Sequence, residues 1–217
     1  MRSTSHVRAV LTEQIIANAF NPIRHMHTVR TFAALTVATL LAIPAAARAQ
    51  AAPAVAPAGP EVGQMAPAFT INVIGKKGAA KPMTLASLRG QTVVLAFFPR
   101  VRTSGCTTQM ESYRDKYAEL FRSGRKVTLI AISTDASADQ QAWAKDANFP
   151  MLFGSDVGGP VGSLYGAFMS GNGIDNRYLY VIDPDGKVSY AAKPFKQMVE
   201  TAYTDLGAAI AKSAGAR

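Results

Sequence analysis

The chain has 217 residues, of which 48% are hydrophobic and 17% are charged, and its formal net charge at pH 7 is +9. This length suits one domain with a sizeable core, and the composition excludes a chain that is disordered over most of its length. Acidic and basic residues are scattered and form no blocks of one sign, which favours an ordinary solvated surface over a nucleic-acid or anionic-membrane patch.

The N-terminal segment has the layout of a secretory signal peptide. An apolar run from Phe32 to Ile43 follows Arg30 and precedes a small-residue site that ends at Ala49. The run has 12 residues, which is shorter than the roughly 17–25 that a transmembrane helix needs. We therefore expect cleavage near Ala49, with no retained anchor, and a periplasmic or extracellular location.

Three segments follow from this layout. Residues 1–49 are the predicted signal peptide, with Met26 as an alternative start, and residues 50–60 are an Ala/Pro-rich linker with few side chains to pack. Residues 61–217 are the predicted folded domain. Because the leader holds five arginines and one glutamate, the remaining 18 basic and 13 acidic residues give the mature chain a net charge of about +5.

From about Glu61 onward, short β-branched runs alternate with longer amphipathic stretches, which is the pattern of a sheet with crossover helices. The predicted strands cover residues 69–73, 92–98, 127–133, 178–182 and 188–191. The predicted helices cover residues 106–122, 138–147, 160–168 and 197–212. The run Thr92–Phe98 is apolar on both faces, as expected of a central buried strand. The fold class is therefore α/β, with a central sheet flanked by helices.

Local signals place the turns and helix starts. Asp183–Gly186 (DPDG) predicts a hairpin turn, so the last two strands are antiparallel and the sheet is mixed. Ser137 is the predicted N-cap of the second helix, and Pro160 suits the first position of the third. Residues 171–173 (GNG) lack the following helix that a phosphate-binding loop requires, so they are interpreted as a plain turn.

Cysteine and histidine content excludes several kinds of site. Cys106 is the one cysteine in these 217 residues, so it cannot form a disulfide within the chain. The three histidines, His6, His25 and His27, all lie in the predicted leader. Cys-His nucleophile pairs, Ser-His-Asp triads and His-based metal sites are therefore excluded from the predicted mature domain. No cofactor and no metal are predicted.

The cysteine itself falls where the central strand leads into the first helix. A thiol in the first turn of a helix meets unpaired backbone N–H groups and the positive end of the helix dipole, both of which stabilise a thiolate. Thr103 places a hydroxyl three residues before Cys106, close enough to donate to the sulfur or to a bound oxygen. Arg100 and Arg102 either strengthen the positive field or lie solvated on the surface.

These residues resemble a known family. The spacing Pro99-x3-Thr103-x2-Cys106 resembles the active-site pattern of peroxiredoxins, and the runs 97–99 (FFP) and 103–108 (TSGCTT) are similar to the bacterioferritin-comigratory-protein subgroup. Five further segments resemble this subgroup and follow in the family's order: 62–69, 85–90, 132–135, 165–166 and 176–183. The similarity therefore covers about residues 61–193. The resemblance implies a thioredoxin-like fold and the activity of a thiol peroxidase.

The resemblance also implies roles for four residues. Cys106 would be the thiolate that attacks the near oxygen of a peroxide and becomes a sulfenic acid. The Thr103 hydroxyl, the Cys106 backbone N–H and the Arg177 guanidinium would donate to oxygens that gain negative charge in the transition state. Pro99, which has a rigid ring and no N–H, would form a wall of the pocket and keep bulk water from the sulfenate.

Two positions depart from the family pattern. Glu111 stands where many members of the subgroup carry a second, resolving cysteine, so the sulfenic acid must be reduced from outside the chain. A thioredoxin-like protein or a small thiol is the expected reductant, and a second copy of the chain, as a homodimer, is the other source of a thiol. Gln109 replaces the glutamate common in the Cys-Thr-Thr-Glu segment, which is expected to weaken a polar contact at the helix start.

Other functions fit parts of the pattern. A thiol–disulfide oxidoreductase needs Cys-x-x-Cys, and Gln109 occupies the second cysteine's place. An exported copper-handling protein could use Cys106 and Met110 as soft ligands, although the mature domain offers no histidine to complete the site. A thioredoxin-fold binding domain without redox activity is the third alternative.

Overall fold

The computed structural model describes residues 58–215. The predicted signal peptide, its alternative start at Met26 and residues 50–57 of the predicted linker lie outside the described residues. Between residues 58 and 215, no helix combines the length and the apolar character needed to span a membrane.

Nine strands are present in the described residues. They are β1 (Thr70–Ile74), β2 (Lys81–Thr84), β3 (Thr92–Phe97), β4 (Val127–Ser133), β5 (Leu152–Ser155), β6 (Phe168–Met169), β7 (Ile174–Asp175), β8 (Leu179–Ile182) and β9 (Val188–Ala192). Seven form one sheet in the order β2-β1-β5-β4-β3-β8-β9, and β6 and β7 form a separate ribbon. Strand β3 pairs parallel with β4 and antiparallel with β8, so the sheet is mixed.

Helices cover both faces of the large sheet. They are α1 (Ser104–Asp115), α2 (Tyr117–Phe121), α3 (Ser137–Asp146), α4 (Pro160–Leu164) and α5 (Glu200–Gly215), with short 3-10 turns at Leu85–Leu88 and Arg122–Gly124. Side chains of α1, α2, α3 and α5 enter one hydrophobic core. The first 3-10 turn and α4 enter the core on the opposite face. The predicted fold class, α/β with a central mixed sheet flanked by helices, is confirmed.

Strand β3 separates the two cores, and all six of its residues are buried. Val94 and Ala96 pack on the side of α1, whereas Val93, Leu95 and Phe97 pack on the other side. This alternation follows from the two-residue period of a strand, and it requires apolar side chains on both faces over residues 93–97. The predicted central buried strand is confirmed, and it delivers the chain to the start of α1.

Several predicted boundaries were wrong. The first predicted helix starts two residues earlier than expected, at Ser104, and is interrupted at Lys116, which separates α1 from α2. The third ends at Leu164, because Phe168 pairs with Asp175 in the small ribbon. Ser137 is the first residue of α3, so the N-cap is Ala136, which has no side-chain oxygen to cap with.

The predictions for two turns and for one helix start are confirmed. The DPDG segment joins β8 to β9 as an antiparallel pair, with the Gly186 amide donating to the Asp183 carbonyl at 2.9 Å. Pro160 occupies the first turn of α4, as expected. Residues 171–173 lie in the turn between β6 and β7.

Strands β2 and β5 were missed because each contains a residue that is uncommon in strands. Pro82 is exposed on β2, an edge strand where its missing N–H does no harm. Gly154 lies inside β5, where a Cβ would come within 2.8 Å of Ile71 Cδ1 and 3.2 Å of Ile132 Cγ1. The glycine therefore lets the side chains of neighbouring strands pack over the backbone of β5.

Candidate active site

Cys106 is the third residue of α1, and its side chain is fully buried. The first backbone hydrogen bond of the helix runs from the Thr107 amide to the Thr103 carbonyl at 2.8 Å. The Cys106 amide therefore belongs to the first turn, whose N–H groups have no acceptor within the helix. Cys106 therefore lies beside backbone donors and at the positive end of the helix dipole, in the first turn where the sequence places it.

Arg177 supplies the positive charge at the sulfur. Its Nη2 lies 3.3 Å from Cys106 Sγ, although 71 residues separate the two in sequence. The backbone around Arg177 is held on both sides, because the Asn176 amide donates to Ala167 O at 2.7 Å and the Phe195 amide donates to Arg177 O at 2.7 Å. The structure thus brings together two of the four predicted site residues in direct contact.

The other end of the guanidinium is anchored by Gln109. Arg177 Nη1 donates to Gln109 Oε1, and Gln109 Nε2 donates to the Tyr113 hydroxyl at 2.8 Å. Gln109 and Tyr113 are fully buried, and burial raises the pKa of Tyr113, so the phenol stays neutral. Because Gln109 carries no charge, this anchor fixes the guanidinium without neutralising it. The sequence had marked Gln109 only as a departure at the helix start, and its contact with Arg177 was missed.

Thr103 and Pro99 lie on the loop between β3 and α1. Thr103 is the N-cap residue of α1, is exposed, and donates its hydroxyl to the Arg100 carbonyl at 3.1 Å. The hydroxyl would have to rotate to donate to a peroxide oxygen. Pro99 is partly buried and directly follows the buried Phe98. The catalytic roles of both residues stay predictions.

Two further contacts fix this loop. The Val101 amide donates to Asp135 Oδ2 at 2.9 Å, and the Ser133 hydroxyl donates to the same oxygen at 2.8 Å, which ties the loop to the end of β4. Arg102 pairs with Asp146 of α3 at 2.5 Å, and both side chains are more than half exposed. Arg102 therefore forms an ion pair with Asp146 on the protein surface. The only sequence signal for Asp135 was its place in the 132–135 segment.

A comparison with protein-family models identifies residues 62–191 as a match to the AhpC/TSA family, which is more than half of the chain. The chain belongs to the AhpC/TSA family. The matched residues include β3, the loop, α1 and Arg177, so they contain all four predicted site residues. The resemblance to peroxiredoxins is confirmed.

Curated relatives of this AhpC/TSA protein carry peroxiredoxin names. Chloroplastic peroxiredoxin Q of Triticum aestivum is 35% identical over 129 residues, which are 59% of this chain and 57% of that protein. The putative peroxiredoxin bcp of Coxiella burnetii is 30% identical over 135 residues, which are 59% of this chain and 85% of that protein. The selenocysteine-containing peroxiredoxin PrxU of Peptoclostridium acidaminophilum is 34% identical over 134 residues, covering 58% of this chain and 64% of that protein. The match thus spans less than two thirds of the wheat and Peptoclostridium proteins.

Solved structures agree on the fold. Peroxidoxin BcpB from Mycobacterium tuberculosis superposes with a TM-score of 0.60 at 25% identity, covering 70% of this chain and 97% of that one. Peroxiredoxin Q from Xanthomonas campestris has a TM-score of 0.57 at 20% identity, covering 67% of this chain and 91% of that one. The thioredoxin-like architecture of this AhpC/TSA protein is shared with both.

The copper-handling alternative gains no support from the site. Met110 is fully buried one turn after Cys106, but the sulfur of Cys106 is in contact with the Arg177 guanidinium. A cuprous ion on the same sulfur would sit beside that fixed positive charge, which is electrostatically unfavourable.

A buried acid lies close to the site of this AhpC/TSA protein. Asp175 ends β7, two residues before Arg177, and its side chain is fully buried. Neither of its carboxyl oxygens has a hydrogen-bond partner among residues 58–215. Burial first, and then repulsion from Asp156 and Asp135, raises the pKa of Asp175 to about 8. The folded protein therefore holds this proton to a higher pH than an exposed aspartate would.

Asp156, unlike Asp175, accepts hydrogen bonds from backbone amides. Its carboxylate accepts from the Val161 amide at 2.9 Å and from the Gly162 amide at 2.7 Å, at the start of α4. Burial raises the pKa of Asp156, and these two hydrogen bonds oppose that effect. A Cβ on Gly162 would lie 2.2 Å from Asp175 Oδ1, so both acids pack against the same helix start.

We expect the contribution of Asp175 to the free energy of unfolding to fall as the pH rises from about 4 to about 8. In the unfolded chain the pKa of Asp175 returns towards 3.8, whereas the folded chain keeps its proton up to about pH 8. In that window the unfolded chain binds fewer protons, so a rising pH favours unfolding. The contribution is complete below about pH 4 and is lost as the pH passes about 8.

The variant Asp175→Asn cannot ionise and is expected to flatten this dependence. Urea unfolding at about pH 5 and about pH 8 measures it, with Asp185→Asn, in the exposed β8–β9 turn, as the matched control. A wild-type slope in Asp175→Asn would show that another group causes the pH dependence.

Proposed function

We propose that this AhpC/TSA protein is a thiol-dependent peroxidase that reduces hydrogen peroxide or organic hydroperoxides through a sulfenic acid on Cys106. The observation that carries the proposal is the contact of 3.3 Å between Arg177 Nη2 and Cys106 Sγ in the first turn of α1. A fixed cation and a helix start act on the same sulfur, and both favour the nucleophilic thiolate.

The first step is an in-line displacement at oxygen. The thiolate attacks the near oxygen of the peroxide, an S–O bond forms, and the O–O bond breaks with its electron pair on the far oxygen. That oxygen leaves as hydroxide or alkoxide and takes a proton from water. The sulfur is oxidised to a sulfenic acid while the peroxide is reduced. Donors fixed in advance around the oxygens lower the barrier, because negative charge spreads onto them in the transition state.

Reduction of the sulfenic acid requires a thiol from another molecule, because the chain has one cysteine. An external thiolate attacks the sulfenic sulfur, an S–S bond forms, and the S–O bond breaks with its electron pair on the oxygen, which leaves as hydroxide and is protonated to water. A second thiol then cleaves the mixed disulfide. Cys106 is fully buried, so the reductant reaches it only when the surrounding loop opens. A small thiol or a thioredoxin-like protein meets this requirement more easily than a second copy, in which both buried sulfurs would have to emerge.

Peroxide consumption by the purified protein tests this proposal. Without thiol, the reduced protein is expected to consume about one equivalent of hydrogen peroxide and then stop. With excess dithiothreitol, consumption is expected to continue over many turnovers. Consumption at the same rate as a protein-free thiol solution would overturn the proposal. A disulfide-linked dimer as the main product after peroxide, in place of a monomeric sulfenic acid, would contradict external reduction.

We also propose that the protein is exported, on the sequence of residues 1–49 alone. Expression of the full chain in a bacterium with a periplasm, followed by fractionation and N-terminal sequencing, tests this. A periplasmic protein that starts near residue 50 is the expected result. A full-length chain confined to the cytoplasm would contradict it.

A further inference from the structure

The segment between β9 and α5 brings one more polar side chain to the site. The side-chain Nε2 of Gln197 lies 3.1 Å from the point that a Cβ on Gly105 would occupy, and Arg177 Nη2 lies 3.5 Å from the same point. Gly105 immediately precedes Cys106, and the same Nη2 contacts the sulfur. The amide and the guanidinium therefore both lie within 3.5 Å of one point beside the backbone that carries the thiol.

The position of Gln197 is fixed by the core. The Tyr203 hydroxyl donates to Gln197 O at 2.8 Å, and the Phe195 amide donates to the backbone of Arg177 at 2.7 Å. The rings of Phe195 and Tyr203 pack edge to face, with centroids 5.3 Å apart, and both pack against Tyr113 of α1. The segment thus holds Gln197 in register with α1 and with Arg177.

The side-chain amide of Gln197 is not used for structure. Within residues 58–215, the hydrogen bond of Gln197 uses its backbone carbonyl, and its side-chain amide has no partner. The residue is only partly buried, so part of it is exposed to solvent. A primary amide brings two donors and no charge. It can therefore serve an incoming oxygen without disturbing the electrostatic balance between sulfur and guanidinium.

We propose that Gln197 is a catalytic residue whose Nε2 donates a hydrogen bond to the far oxygen of the bound peroxide. Arg177 is already committed to Gln109 through Nη1 and to the sulfur through Nη2. The far oxygen receives the electron pair of the broken O–O bond, so a neutral donor beside it stabilises the transition state more than the bound substrate. The missing side chain of Gly105 leaves the room that this amide occupies.

This inference rests on the proposed peroxidase activity, and two reactions of the same sulfur test it. Gln197→Leu keeps the size of the side chain and removes both donors. Its second-order rate with hydrogen peroxide is expected to fall about 100-fold, the low end of the loss that follows removal of one oxyanion donor. Its rate of alkylation by iodoacetamide is expected to stay unchanged, because that reaction expels iodide and leaves no oxygen to stabilise.

The neighbouring variant Met198→Leu, at a side chain that is 72% exposed, is the matched control and should preserve both rates. Unchanged peroxide rates in Gln197→Leu would overturn the inference, and so would an equal fall in both reactions, which would mean that Gln197 acts on the thiolate or the fold. A wild-type protein that does not react with peroxide would instead refute the peroxidase activity itself. Thermal unfolding of both variants shows whether they are folded.

Discussion

The variant Cys106→Ser is expected to lose peroxide reduction almost completely, by at least about 1,000-fold. A serine hydroxyl in the same first turn is far less ionised and less nucleophilic than a thiol, and it cannot form a sulfenic acid. No other cysteine in the chain can replace it. Stopped-flow measurement of peroxide consumption in excess dithiothreitol gives the rate directly.

The fold should survive this change. Cys106 packs beside Phe98 and Met110 in the core, so a buried hydroxyl costs about 1–3 kcal/mol if it finds no partner. Arg177 Nη2 remains available to donate to the serine oxygen. Urea unfolding of Cys106→Ser therefore accompanies the kinetics. A folded variant that still reduces peroxide at the wild-type rate would place the activity elsewhere on the molecule.

The variant Arg177→Ala is expected to slow the reaction with hydrogen peroxide by about 100- to 1,000-fold. It removes a cation in contact with the sulfur and also leaves the buried Gln109 carbonyl without its donor. Arg177→Lys should recover only part of the loss, because a single ammonium cannot reach the sulfur and Gln109 together as the planar guanidinium does.

Arg125→Ala is the matched control for this series, since it removes an exposed arginine from the surface before β4. It should leave the rate within about twofold of wild type, as expected for a screened surface charge. Single-turnover oxidation followed by intrinsic fluorescence measures all three variants under the same conditions. A wild-type rate in Arg177→Ala would show that the contact with Cys106 is structural only.

Local sequence signals predicted most of the fold. The apolar run of β3, the alternating strands around it and the DPDG hairpin follow from short-range rules, and the structure contains each of them. The rules failed where a tertiary contact overrode them. Gly154 favours a turn by itself, yet it lies in β5 because Ile71 and Ile132 need the space above it.

Only part of the site could be predicted from the sequence. The helix-start position of Cys106 follows from the strand and helix pattern, whereas Arg177 was reached only through the resemblance to a family. The contact of Gln109 with Arg177 and the position of Gln197 beside Gly105 were missed, because both depend on how α1 packs against other segments of the chain. No spacing rule relates residues that are 68 positions apart, as Gln109 and Arg177 are.

Asp175 illustrates the same limit for electrostatics. An aspartate in a turn-rich segment is ordinarily interpreted as a solvated surface residue. Burial of both carboxyl oxygens without donors follows only from the packing of the small ribbon against α4. The consequence, a buried acid with a raised pKa two residues from Arg177, has no signature in the sequence.

Reaction of the reduced protein with one equivalent of hydrogen peroxide, in the presence of a sulfenic-acid trap and without thiol, tests the central claim most directly. Intact-mass measurement and peptide mapping should find one trapped adduct per chain, on the peptide that contains Cys106. A protein whose mass is unchanged after peroxide, although it is folded and its thiol is reduced, would contradict the assignment of Cys106 as the peroxide-reactive residue.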